Sequence, residues 1–150
     1  MIDPANIDKT HFSIEPYSKI VPKPWGSEIH LAPETEPYMA KIININAGCR
    51  LSMQLHDQKT ESWTLMSGQA GVMLEDDNGQ IQSITLQPGV GYTSLIGQRH
   101  RLFGITDCAV FEASTPELGT TLRLEDDYSR PDETEAMRNE PKRGWTGSSK

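Results

Sequence analysis

Cysteine is nearly absent from this chain: among 150 residues there are two, Cys49 and Cys108, and neither stands in a C-x-x-C or a Cys/His cluster of the kind that holds structural zinc. A disulfide-built scaffold is thereby excluded. Both read as reduced thiols in the wall of a fold that a chain of this length supports with its own core. Long apolar runs are missing too. Nothing approaches the ~20 consecutive apolar residues that cross a bilayer, and the start does not resemble a signal peptide. A cytoplasmic, single-domain protein is expected. Positive charge is in deficit: 14 Lys and Arg against 21 Asp and Glu leave a net charge of −7. Nucleic acid and anionic membranes need a basic face and are not expected as partners. An anionic small substrate requires a local cluster of cations instead.

Helical periodicity is the remaining absence, since no stretch of about 10 to 15 residues before Ala113 carries a helical stripe. From Ile20 onward the chain breaks into short segments of period-two alternation separated by turn residues. Ile43 and Ile45 alternate before Asn46-Ala47-Gly48; Leu51, Met53 and Leu55 alternate after it. Trp63 and Leu65 run to Ser67-Gly68, and Val72 and Leu74 to a hairpin turn at Asp76-Asp77-Asn78-Gly79. Ile81, Ile84 and Leu86 lead to Pro88-Gly89. Tyr92 to Ile96 and Leu102 to Ile105 flank Gly97-Gln98-Arg99-His100, and Cys108 to Ala113 is the last strong strand. The expected fold class is all-β, an antiparallel barrel or jelly roll, because closing the sheet removes exposed edges. Residues 1–19, with Pro4 and Pro16, read as an extended N-terminal arm. Residues 131–150 hold Pro, Gly, Ser and charges of both signs, with Met137 and Trp145 isolated, which is the composition of a flexible C-terminal tail.

Alternate side chains of a strand share a face, so Ser52, Gln54 and His56 point one way and Leu51, Met53 and Leu55 the other. Glu61 follows five residues after His56 across a polar turn, and a hairpin return would bring its carboxylate to the same wall. His100 ends a Gly-containing turn, from which a side chain is aimed inward. Amide oxygen, imidazole, carboxylate and a second imidazole form a mixed N/O set that suits one divalent metal ion and leaves positions open for a ligand. On spacing alone, a metal site and a solvated strand face stand level. His11 and His30 lack such company and read as surface or capping residues.

The glycines add to this. Gly48, five residues, Gln54-x-His56, four residues, Glu61, six residues and Gly68 resemble the first motif of the cupins, with Gln in place of its first His. Gly89, five residues, Leu95-x-Gly97, two residues and His100 resemble the second, with Leu95 in place of Pro. A narrower resemblance, over about residues 20–130, is to type II mannose-6-phosphate isomerases. It is carried by Lys23-Pro24-Trp25-Gly26, Lys41-Ile42, Leu51-Ser52-Met53-Gln54-Leu55-His56, Glu61-Ser62-Trp63, His100-Arg101, Ser114-Thr115-Pro116-Glu117-Leu118 and Arg123-Leu124-Glu125-Asp126-Asp127-Tyr128. Gly119 and Ser129 depart from the pattern, at positions where that family tends to have Asp and Gly.

The resemblance implies a cupin double-stranded β-helix over residues 20–130 and a Zn, Mn, Co, Fe or Ni ion on Gln54, His56, Glu61 and His100. It also implies interconversion of mannose 6-phosphate and fructose 6-phosphate, the sugar phosphate being the partner molecule. The alternatives are a cupin that binds a sugar or metabolite without turnover and an iron-dependent cupin dioxygenase. Many cupins pair as homodimers, and the N-terminal arm is an element available for pairing. For the chemistry, Arg123 is expected to contact phosphate or enediolate, because a guanidinium fork suits phosphate. Lys41 is expected to move a proton if burial beside the metal depresses its pKa, and Glu112 to be a partly buried acid or base, or the partner of an Arg. Arg101, next to a ligand, is expected on the opposite face in a surface ion pair. Trp25 and Trp63 read as core, with a sugar platform as the alternative.

Overall fold

The computed structural model describes residues 1–144. Among these, the chain forms β1 (Lys19–Lys23), β2 (Gly26–His30), β3 (Met39–Ile45), β4 (Met53–His56), β5 (Glu61–Ser67), β6 (Ala70–Glu75), β7 (Ile81–Thr85), β8 (Tyr92–Ser94), β9 (His100–Gly104), β10 (Cys108–Ser114) and β11 (Thr121–Glu125), followed by a single helical turn, α1 (Glu135–Arg138). The strands make two antiparallel sheets, one in the order β1-β2-β3-β10-β5-β8 and one in the order β11-β4-β9-β6-β7. The two inner faces enclose the core, as in a jelly roll. Among the described residues no helix is long and apolar enough to cross a membrane.

Strand register explains how one interior holds both a core and a polar site. On β10, Val110 pairs with Ile43 of β3 and Leu65 of β5, and these inward side chains join the apolar cluster with Trp25, Ile45, Val72 and Leu102. Two residues further on, Glu112 pairs with Lys41 and Trp63, and Ser114 with Glu61. Because the side-chain period is two, the same inward face therefore changes from apolar to charged in one step along β10. Trp25 and Trp63 are both buried in the apolar cluster, in agreement with their reading as core.

Two expectations need correction. β4 and β5 do not form a hairpin; they belong to opposite sheets, so the link 57–60 crosses the barrel and Glu61 comes from the wall facing His56. The segment 131–144 is also not a loose tail. Glu133 exchanges two backbone hydrogen bonds of 2.9 Å with Thr121 of β11, Thr134 caps α1 by accepting from the Met137 N–H, and Glu133 and Arg143 are buried. Composition misled here because charges, rather than apolar side chains, attach this segment. Arg138 donates to the backbone carbonyls of Glu117 and Gly119, and Arg143 to the carboxylates of Glu117 and Glu133. Trp145 lies outside the described residues. Residues 1–18 are exposed throughout, with one short 3₁₀ turn at Pro4–Asn6.

Gly26 opens β2 at φ 150°, and a Cβ there would meet the backbone carbonyl of Asn44. Backbone cannot step aside as a flexible side chain can. Gly26→Ala should therefore cost about 2 to 4 kcal/mol and lower the melting temperature by roughly 5 to 15 °C, measured by thermal unfolding. An unchanged melting temperature would show that β1 and β2 shift freely against β3.

Candidate metal centre and the charged cavity around it

The pairing of β4 with β9 sets Gln54 opposite His100, and the pairing of β4 with β11 sets His56 opposite Thr121 and Gln54 opposite Arg123. Gln54, His56, Thr121 and Arg123 thus share the inner face of one sheet, and Glu61 reaches in from the other. His56 Nε2 and His100 Nε2 lie 3.0 and 2.8 Å from the same oxygen of Glu61. All three residues are buried, with one candidate ligand atom from each within 4.8 Å of the others. Each ring is turned by its outer nitrogen: His56 Nδ1 lies 3.0 Å from Thr121 Oγ1, and His100 Nδ1 lies 2.9 Å from Ser94 Oγ and from the Gln98 carbonyl. Metal-ligating histidines are anchored through the far nitrogen in this way. Gly97, at φ 77°, forms the turn that aims His100, and its N–H donates to the His56 carbonyl.

Gln54 completes the expected set. Its Nε2 is 3.4 Å from His100 Nε2, and its Oε1 accepts from Ser52 Oγ at 2.6 Å. A half-turn of the amide would present the oxygen to the cluster. Two imidazole nitrogens, one carboxylate oxygen and an amide oxygen, carried by the three strands β4, β5 and β9, fit a divalent ion with open positions. Burial alone would raise the Glu61 carboxyl, but Lys59 and the two imidazoles hold it well below the usual carboxylate range. The ligand is therefore anionic.

The cluster borders a small cavity of about 50 Å³. Its lining includes the cations Lys23, Lys41, Lys59, Arg123, Arg138 and Arg143, set against Glu28, Glu61, Glu112, Glu117 and Glu133. Two further lining cations are matched outside this group, Arg101 by Glu125 at 3.2 Å and Arg130 by Asp126 at 2.6 Å. In a chain with a net charge of −7, this is the local concentration of cations that the composition lacks.

Within the network, Lys59 bridges Glu61 at 2.6 Å and Glu112 at 2.8 Å, and Trp63 donates its indole N–H to Glu112 at 3.3 Å. Glu112 thus has a lysine partner rather than an arginine. Lys41 lies between Glu28 and Glu117. The expectation of a depressed Lys41 pKa is overturned: burial does push it down, but Glu117 and Glu28 outweigh burial and the pKa is raised. Lys41 is a fixed cation. Arg123 does line the cavity, but its guanidinium is engaged by Glu133 at 3.2 Å and by the Pro131 carbonyl, not by Glu125, Asp126 or Asp127. Among the described residues its Nε has no partner. Arg101 makes an ion pair as expected, yet it is buried beneath Glu125 rather than on the surface. His30 is buried as well, its Nε2 2.8 Å from Glu28, whereas His11 is exposed.

The expected residues are thus brought together. Those missed are Lys23, Glu28, Lys59, Glu117, Glu133, Arg138 and Arg143. The signal present for the first two was the alternation of Lys23 with Val21 and of Glu28 with His30, which places the polar members of β1 and β2 inside.

Two sheets enclosing this arrangement define a cupin, and the comparisons agree. A family profile described as "Mannose-6-phosphate isomerase C-terminal" matches residues 11–102, and the chain belongs to that family. Among solved structures, all of them cupins, it is similar to the capsular polysaccharide assembling protein CapF from Staphylococcus aureus, at 14% identity and a TM-score of 0.56, over 68% of this chain and 31% of that one. It is similar to oxalate decarboxylase from Bacillus subtilis, at 16% identity and a TM-score of 0.60, over 71% and 30%, and to KdgF from Halomonas sp., at 20% identity and a TM-score of 0.54, over 63% and 83%. The match spans about a third of the first two structures' length. No curated protein sequence is matched. At these identities the structures establish the fold alone.

Two predictions follow from the geometry. His56→Ala with His100→Ala should remove bound divalent metal from reconstituted protein, measured by elemental analysis; retained metal would place the site elsewhere. The second concerns acid. Burial would raise the carboxyls of Glu28 and Glu117, but Lys23 and Lys41 for Glu28, and Lys41 and Arg143 for Glu117, hold both well below their ordinary value of 4.5. A depressed carboxylate contributes stability that is complete above the unfolded value and is lost as pH falls through the folded one. Melting temperature should accordingly be level between about pH 6 and 7 and fall below about pH 4.5. Glu28→Gln with Glu117→Gln should be less stable at neutral pH and lose less on acidification. Parallel curves would remove these carboxylates as the cause.

Proposed function

We propose that this chain is a metal-dependent aldose-ketose isomerase acting on mannose 6-phosphate and fructose 6-phosphate. The observation that carries the reading is the combination, in a chain of the mannose-6-phosphate isomerase C-terminal family, of the His56, Glu61 and His100 cluster with a cavity rich in cations.

The reaction takes a proton from C2 of the aldose and returns one to C1, while a second proton passes from O2 to O1. A divalent ion on Gln54, His56, Glu61 and His100 would supply charge stabilisation for the substrate oxygens as they become enediolate-like. Proton transfer at carbon falls to Glu112. It lines the cavity, it stands one lysine from the ligand Glu61, and neither neighbouring lysine serves as a base, since Lys41 and Lys59 both have raised pKa values. Lys59 orients Glu112 and Glu61 together. The cations at the far side of the cavity receive the phosphate.

A coupled assay for fructose 6-phosphate formed from mannose 6-phosphate, with Mn, Zn or Co supplied, tests this directly. Turnover is expected, and Glu112→Gln should lower kcat by about 100-fold to 10,000-fold, the usual contribution of a positioned acid-base group, with metal content unchanged. Binding of the sugar phosphate without product from any metal would make the protein a binding module. Iron-dependent oxygen consumption would make it a dioxygenase.

A further inference from the structure

We propose that the C-terminal segment 131–143 forms the phosphate-recognition wall of the metal cavity, with Arg143 as the residue that leaves its carboxylate partners to bind the phosphate group. This rests on the sugar-phosphate reading above. The metal ligands lie within the family match at residues 11–102, whereas Glu117, Arg123, Glu133, Arg138 and Arg143 lie beyond it.

Size favours a movable wall. The cavity is about 50 Å³, room for a few waters at roughly 10 to 15 Å³ each, while small-molecule sites run to about 300 Å³ or more. A second cavity of about 210 Å³, walled by Tyr38, Met39 and Leu118, shares Glu117, Arg138 and Arg143 with the first. These three side chains are the partition. Most of the other lining residues lie on the sheet strands, whereas Arg143 sits in the short 3₁₀ turn Pro141–Gly144, at a left-handed φ of 50° that is uncommon for a non-glycine residue.

Charge and hydrogen bonding specify the occupant. Six cations face five glutamates, one positive charge in surplus, and a divalent ion adds two more. An occupant with about two negative charges, such as a phosphate monoester, brings the site near neutrality. The buried side-chain groups on this lining that lack a partner, among the described residues, belong to Trp25, Arg101 and Arg123, and each is an N–H donor. The site is short of acceptors, which phosphate and sugar oxygens supply.

Arg143 is the cation free to exchange. If it leaves Glu117, that carboxylate keeps Lys41 and Lys59; if it leaves Glu133, that carboxylate keeps Arg123 at 3.2 Å and Arg138 at 3.3 Å. Neither glutamate is orphaned, so the partition opens without stranding a buried charge.

The test uses the full chain loaded with metal. Arg143→Gln should raise KM for mannose 6-phosphate, and weaken binding of inorganic phosphate measured by calorimetry, by about 10-fold to 100-fold, the size of a lost hydrogen bond to a charged group. Metal content and binding of unphosphorylated mannose should hold within about twofold, well inside the tenfold that 1.4 kcal/mol represents. Arg143→Lys, which keeps the charge, should recover part of the loss, and it serves alone if Arg143→Gln does not fold, with a several-fold rise in KM expected. Turnover with KM unchanged in the variant would overturn the assignment and leave the isomerase reading intact. Wild-type protein that binds phosphate and mannose 6-phosphate without turnover, and loses that binding in the variant, would support the wall and overturn the isomerase reading. Wild-type affinity that is equal for mannose and mannose 6-phosphate would overturn the wall.

Discussion

A carboxylate removed from water costs several kcal/mol unless cations meet it, and the interior of this barrel takes in five glutamates beside its cavity. Much else in the structure answers that requirement. Lys41 is placed between Glu28 and Glu117, and Lys59 between Glu61 and Glu112. The C-terminal segment turns back because Glu117 and Glu133 need Arg138 and Arg143 as well as the strand-borne cations. Pairing also limits the chemistry open to each lysine. A buried lysine without partners is a good proton carrier because burial lowers its pKa; with two carboxylates in reach Lys41 has the reverse shift and acts as a fixed charge.

The candidate metal centre is built into the same network. The oxygen of Glu61 not engaged by Lys59 faces both imidazole Nε2 atoms, and each ring is fixed from behind by a hydroxyl, Thr121 for His56 and Ser94 for His100. The tilted contact of Trp63 on the His100 ring, with centroids 5.3 Å apart, and the bond from its indole to Glu112 tie the ligand, the aromatic core and the proposed base into one unit. Substitution at Trp63 therefore alters packing and site together, and its effects on stability and on chemistry do not separate.

Strand alternation and the two glycine-spaced motifs made the barrel and the clustering of Gln54, His56, Glu61 and His100 legible, because Gln54 and His56 are forced onto one face by the period of a strand whatever the packing. The same rule hid the cavity. In β2 the inward residues are Glu28 and His30, with Ile29 between them less buried, and in β11 Thr121 and Arg123 face in while Leu122 and Leu124 are exposed. A reader who assumes apolar side chains point inward inverts both strands. His30 then becomes a surface residue and β11 disappears as a strand. Lys59 was hidden differently: in a short polar turn a lysine reads as solvated, and only the crossing of residues 57–60 between sheets places it inside. Segment 131–144 went unread because its attachment is ionic, and residue composition does not reveal which charges find partners.

These failures share a cause that bears on how the fold acquires its function. CapF, oxalate decarboxylase and KdgF share the barrel with this chain at 14 to 20% identity, so the same architecture is reached by widely different sequences. What distinguishes one such barrel from another has to lie where the inward face becomes polar, here from Glu112 outward along β10 and in the segment that follows β11. Residues there are chosen against the local rules that make a sequence readable, and each inverted position costs folding energy that only a paired charge or a ligand restores. The family match, which ends at residue 102, takes in Lys23, Glu28, Lys41, Lys59 and Glu61 of the charged interior. The other members, Glu112, Glu117, Arg123, Glu133, Arg138 and Arg143, lie beyond it, on β10 and β11 and in the segments that follow them.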